Sequence, residues 1–100
     1  MTPDLFRASL SFDRPPQGLS PPLEALWWAG KGMWDEAHAL VQDEAGAQAA
    51  WVHAHLHRLE GDLANAGYWY RRAGQAVASG SPDAEWSAIA AALLAPDGAP

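Results

Sequence analysis

Apolar residues in this chain recur every three to four positions over five stretches, the spacing that lines them up on one side of an α-helix. Nowhere do they alternate one by one as in a half-buried strand, and the β-branched residues that favour strands include only a single Ile and a single Thr. The pattern predicts an all-α fold of five helices. The first takes Ser20 as N-cap with Pro21 and Pro22 in its first turn, runs through LEALWWA and stops at Gly30-Lys31-Gly32. The second, MWDEAHALVQDE, gathers Met33, Trp34, Ala37, Leu40 and Val41 on one arc with its acidic residues largely opposite. In the third, roughly residues 47 to 60, Trp51, Val52, Leu56 and Leu59 turn inward while His53, His57 and Glu60 fall on the other side. The fourth begins after Gly61 with Asp62 as cap and continues to about Ser79, with Leu63, Ala66, Trp69, Tyr70, Ala73 and Val77 inward. Gly67 and Gly74 border that stripe; glycine costs a helix interior about 1 kcal/mol relative to alanine, so a close helix approach is expected there. The fifth starts at Ser81-Pro82, turns Trp86, Ile89, Ala90 and Leu93 to one side, and ends before Pro96.

Ahead of these helices, prolines at positions 3, 15, 16 and 21 favour an extended lead-in with at most a short turn of helix from Thr2. Its Leu5, Phe6, Leu10 and Phe12 are too apolar for a free tail, so part of it should lie against the helical body. The expected organisation is a proline-rich N-terminal arm over residues 1–21, one helical domain over 22–95 and a tail over 96–100. One hundred residues are length for one small domain.

Composition narrows the chemistry. Twelve Asp and Glu against six Lys and Arg leave a net charge of −6, which argues against nucleic acid, whose affinity comes largely from counterion release by a basic surface. With no cysteine, disulfides, Cys-ligated metals and a thiol nucleophile are excluded. The N-terminus lacks the basic start and apolar run of a secretory signal, and no stretch of about 18 apolar residues occurs, so a cytoplasmic protein that does not span a membrane is expected. No GxSxG, phosphate loop or Ser-His-Asp pattern is present, so no enzymatic activity and no cofactor are expected.

Two segments match internally. GMWDEAHALV from Gly32 and GDLANAGYWY from Gly61 align at an offset of 29 residues, pairing Trp34 with Leu63, Ala37 with Ala66 and Val41 with Tyr70. A glycine turn followed by a helix with a small residue at its contact point resembles the tetratricopeptide and Sel1-like helical hairpins over residues 22–79. The period is shorter than the usual 34, and the proline that often ends each unit is missing. That resemblance implies two antiparallel hairpins plus a C-terminal capping helix. The longer strings ALWWAGKGMWDEAH and WVHAHLHRLEGDLANAGYWYRRAG are similar to a family of small bacterial and fungal helical proteins with WDxAH and WVHAxLHRxEGDxxNAxYWYRRA patterns. The similarity spans residues 22–74 and implies a fold rather than an activity; at His55 it implies an aromatic, which makes His55 a packing position.

Candidate chemistry lies in two places. Half of the six basic residues fall between positions 58 and 72, where Arg58, Arg71 and Arg72 beside Tyr68 are suited to a carboxylate or chain terminus of a partner. Arg72, four residues after Tyr68, is placed to stack on it, and Glu60 and Asp62 are placed to pair with Arg58 or Arg71. Trp28 points about 100° away from Trp27 and is left either for the proline-rich arm or for a partner surface. Trp34, Trp51, Trp69 and Trp86 are expected in the core. These features favour a non-enzymatic module that binds a protein or peptide, with self-association left open. The alternative is a small-ligand or metal-binding protein. His53 and His57 are four apart and about 40° apart around the helix, with Glu60 three further on and His38 within reach if the hairpins pack suitably. The ligand motif is incomplete, so metal stands second. A groove of exposed aromatics and arginine would favour a partner; convergence of His38, His53 and His57 would favour metal.

Overall fold

The computed structural model describes residues 1–95, and the tail expected over 96–100 lies outside them. Every regular element among the described residues is helical. The chain forms α1 (Pro3–Ala8), a 3-10 turn (Ser9–Ser11), α2 (Pro21–Gly30), α3 (Trp34–Val41), α4 (Ala47–Leu59), α5 (Leu63–Ala73) and α6 (Pro82–Leu94). Side-chain caps set four of the starts: Thr2, Ser20, Asp62 and Ser81 accept from the backbone N–H of Leu5, Leu23, Asn65 and Ala84. Proline opens α1, α2 and α6, where its missing N–H costs nothing. Among the described residues no helix is long and apolar enough to cross a membrane.

Among the described residues α-helices number six rather than the expected five, because the N-terminal segment folds further than one short turn. Phe6 is fully buried and stacks on Trp86 with ring centres 5.4 Å apart. Trp27 Nε1 donates to Ser9 Oγ at 3.0 Å, and Lys31 Nζ donates to the carbonyls of Leu10 and Phe12 at 2.8 Å each. The hydrogen bonds left open where the 3-10 turn ends are thus completed by α2 and the residue after it.

α2 packs chiefly on α3 and α4 on α5, while α6 closes across α1, α2 and α4. The main core joins Phe6, Leu26, Trp27, Val41, Val52, Leu56, Trp86 and Ile89, and a smaller cluster of Ala54, Ala66 and Tyr70 lies between α4 and α5. α4 touches α2, α3, α5 and α6, and residues 52–57 are all buried. The outward placement expected for His53 and His57 is therefore corrected: the side of α4 opposite its apolar arc is covered by α3 and α5. Helices covered all round are normally apolar all round, so burying histidines there requires specific partners.

Three further expectations change. The fourth predicted helix stops at Ala73, since Gly74 takes a left-handed φ of 71° as its C-cap, and residues 75–79 run on without helix. Val77 is consequently exposed, as is Leu63 in the first turn of α5. Gly67 marks no close approach, because a Cβ there would meet only the Arg71 guanidinium at 3.7 Å. The tight contact is at Gly30, where a Cβ would stand 3.0 Å from Leu10 and 3.1 Å from Trp86. Of the four tryptophans expected in the core only Trp86 is buried; Trp34, Trp51 and Trp69 are half-buried, and Trp27 is the fully buried one.

Candidate metal centre

The short glycine turns that return α3 and α5 onto α4 bring three histidines together. His38 lies on α3, and His53 and His57 lie one turn apart on α4. One ring nitrogen from each falls within 4.8 Å of the other two, and His38 Nε2 stands 3.1 Å from His53 Nε2. His57 Nδ1 is held at 2.5 Å by Glu60 Oε2, which leaves Nε2 as its free ring nitrogen. Aromatic rings wall the trio. Trp34 stacks on His38 with centres 4.7 Å apart and anchors itself by donating Nε1–H to the Leu56 carbonyl at 2.6 Å. Trp69 stacks on His53 at 3.9 Å.

Electrostatics favour neutral rings here. Burial, followed by the neighbouring His38 and His57, lowers the His53 pKa from 6.5 to about 4. His38 is lowered too, first by burial and then by His57, against weaker opposing pulls from Glu60, Asp35 and Asp43. Neutral imidazole is the form that ligates metal. His53 Nδ1 is buried without a hydrogen-bond partner, so its ring is positioned by stacking and by His38. A second trio, His57, Glu60 and Asp62, lies at the neighbouring turn with both carboxylates exposed.

His55 faces another way. Its Nδ1 lies 2.7 Å from Glu85 Oε1, and the same carboxylate takes hydrogen bonds from the Tyr70 hydroxyl and from Arg58 Nη1 at 3.2 Å. Arg58 also donates to the Gly80 carbonyl. Burial pushes the Glu85 pKa up, but the bonds from His55, Tyr70 and Arg58 outweigh it and hold the carboxyl below its ordinary value. Burial, then Glu85, pushes the Tyr70 hydroxyl well above its ordinary value. Glu85 and Tyr70 were not singled out from the sequence as polar partners. A signal was there, since Glu85 precedes Ile89 by one turn and so puts a charge on a buried stripe.

The arginine-rich segment is divided between these surroundings. Arg58 turns into the Glu85 network, with 14% of its side chain exposed. Arg72 does lie over Tyr68, donating to its hydroxyl at 3.2 Å, and also over Trp69. Arg71 is exposed. Neither expected acid-to-arginine pair forms, because Glu60 is taken by His57 and Asp62 caps α5. Trp28 packs edge-on against Trp27 and shares a surface cleft with Arg14, Pro15 and Pro16 of the arm. Comparison of this chain with protein families, with curated proteins and with solved structures finds no match.

Proposed function

We propose that this chain is a small helical metal-binding protein that takes one divalent transition-metal ion, zinc in the first instance, on His38, His53 and His57. The convergence of three imidazoles from two helices, two of them with pKa values lowered by burial, carries this reading. Two nitrogens on a tetrahedral zinc at about 2.0–2.1 Å stand roughly 3.3 Å apart, and His38 Nε2 and His53 Nε2 stand 3.1 Å apart. An all-nitrogen set suits zinc, copper or nickel and is poor for calcium or magnesium, which take oxygen. Glu60 supplies the carboxylate that fixes the tautomer of a ligating histidine and raises its basicity. Three protein ligands leave a fourth position for solvent or a small ligand.

The scaffold fits a tetratricopeptide-like arrangement, with α2/α3 and α4/α5 as two hairpins and α6 as cap, supported by the 29-residue offset between their glycine turns. Protein or peptide binding is the second reading, supported by the exposed Tyr68 and Arg72 pair. The inward turn of Arg58 takes one of its three arginines away.

Titrating zinc into metal-free protein at pH 7 should show one ion per chain with a Kd of about 1 μM or tighter. Replacing zinc by cobalt should give the strong visible absorption of a tetrahedral ion. His38→Ala and His53→Ala should each abolish binding while keeping the helical circular dichroism. No binding heat up to about 1 mM zinc, a weak limit of only about 4 kcal/mol, or binding that survives both substitutions, would remove the proposal.

A further inference from the structure

Leu63 and Val77 are the two most exposed large apolar side chains among the described residues, at 68% and 67%, and both line one cavity. It measures about 360 Å³ and opens between α4, α5, the stretch that follows Gly74 and the start of α6. Ala66 and Tyr70, both buried, contribute to its wall from α5. Exposed apolar residues beside a concave, largely apolar space mark a place where a ligand can leave water. None of His38, His53 and His57 lines it, so it is separate from the metal centre. Arg58 is the one charged residue that does. A guanidinium carries five N–H donors; Nη1 bonds Glu85 at 3.2 Å and Nη2 bonds the Gly80 carbonyl, which leaves three further N–H groups. Glu85 itself lines the neighbouring cavity beyond Ala78 and not this one, so a group entering here meets the cation ahead of its counter-charge.

The geometry points to this cavity as a binding site for a small apolar monocarboxylate, whose carboxylate accepts from Arg58 while its hydrocarbon part lies against Leu63, Ala66, Tyr70 and Val77. Size sets the class. An apolar cavity of roughly 150 Å³ holds the six carbons of benzene, and 360 Å³ is a little over twice that, which suits an alkyl or aryl acid of about ten to twelve non-hydrogen atoms. Charge sets the head group. An arginine N–H bonded to a carboxylate is stronger than one bonded to a neutral oxygen, and a ligand with a cationic head would be repelled by the same guanidinium. A second carboxylate would find no cation among the lining residues, and the net charge of −6 opposes a dianion. The site is also held ready: Glu85 and the Gly80 carbonyl fix the guanidinium from within the fold, so binding need not freeze a mobile arginine. The inward turn that withdraws Arg58 from the surface arginines is the feature that brings it to this cavity.

The test uses metal-free full-length protein, so that the metal proposal and this one stand or fall separately. Octanoate, 1-octanol and octylammonium share one tail and differ in head charge; each is titrated at pH 7 while backbone amide and arginine Nε–H NMR signals are followed. Octanoate should give saturable shifts at Leu63, Ala66, Val77 and the Arg58 Nε–H, binding about 10-fold more tightly than 1-octanol, the worth of a hydrogen bond to a charged group, with octylammonium weakest. Leu63→Gln and Val77→Gln change exposed side chains without touching the Glu85 network, so both variants should keep the helical circular dichroism. Each should weaken octanoate by about 3- to 10-fold through lost apolar contact. Octanol or octylammonium binding as tightly as octanoate, octanoate affinity unchanged in both variants, or no saturable shift up to about 1 mM octanoate, a limit of only weak binding, would each overturn the assignment.

Discussion

His53 and His55 stand two residues apart on α4, both nearly free of solvent, yet they are buried by opposite means. His55 faces a carboxylate that is itself balanced by Arg58 and Tyr70, so the charges in that network compensate one another inside the fold. His53 bonds His38 and stacks on His57 and the Trp69 ring, and its Nδ1 has no hydrogen-bond partner among the described residues. One helix thus carries a finished polar network on one side and an unfinished one on the other. Removing a partner from the first leaves buried charge uncompensated; the second holds no such charge pair, and it is there that the proposed metal ion would sit.

The contrast breaks most visibly at Glu85. Glu85→Ala would strand the mostly buried Arg58 and leave Tyr70 and His55 without an acceptor, at a cost of about 3–5 kcal/mol, a large share of the roughly 5–15 kcal/mol that holds a typical domain together. Glu85→Gln, which keeps the shape and one acceptor, should lose less. Urea unfolding measures both, and a loss under about 1 kcal/mol for the alanine variant would show that the network is not a structural pin.

Acid should separate the two sides in sequence. His53 titrates near 6.5 when unfolded and near 4 in the fold, so the folded state binds fewer protons between those values. Stability is then fully present above pH 6.5 and declines by roughly 3 kcal/mol as pH falls to 4, levelling off below. The lowered His38 pKa acts in the same direction. Glu85 is held below its ordinary 4.5, so its contribution is present above that value and is lost only at lower pH. Unfolding followed across pH should show the first decline flattened in His53→Gln, with the second unchanged. A wild-type curve flat from pH 7 to 5 would contradict the lowered His53 pKa.

What the sequence made legible follows from local chemistry. Caps such as Ser20, Asp62 and Ser81 and the spacing of apolar residues locate the starts of α2, α5 and α6, because those signals act within one turn. The end of α5 was hidden, since Gly74 reads equally as a helix interior under strain or as a left-handed cap. The histidine pair on α4 was visible as an i, i+4 spacing, and Glu60 as its neighbour. Nothing local, however, reports that α3 and α5 cover that face and turn a polar stripe into a walled cluster. His38 enters the trio through packing between helices, as Glu85 reaches His55 across thirty positions, and pairings of that range lie beyond periodicity.

The smallest expected effect on folding gives the sharpest test of the open side. Glu60 is partly exposed but is the hydrogen-bond partner of the buried His57 Nδ1, so Glu60→Ala should lower the stability of the metal-free protein by about 1 kcal/mol and Glu60→Gln by less. Their effect on zinc should be larger. With alanine His57 loses the acceptor that fixes its tautomer, and affinity should fall about 10- to 100-fold; glutamine keeps an acceptor without the charge and should fall between alanine and the parent. Complete loss of zinc in Glu60→Ala together with loss in Asp62→Asn would instead place the ion on His57, Glu60 and Asp62, the exposed trio at the turn. Unchanged affinity in both Glu60 variants would reduce the carboxylate to a surface partner of His57 and leave the three imidazoles to bind without its support. Graded loss, with Asp62→Asn silent, is the outcome that joins Glu60 to the same unfinished network as His53.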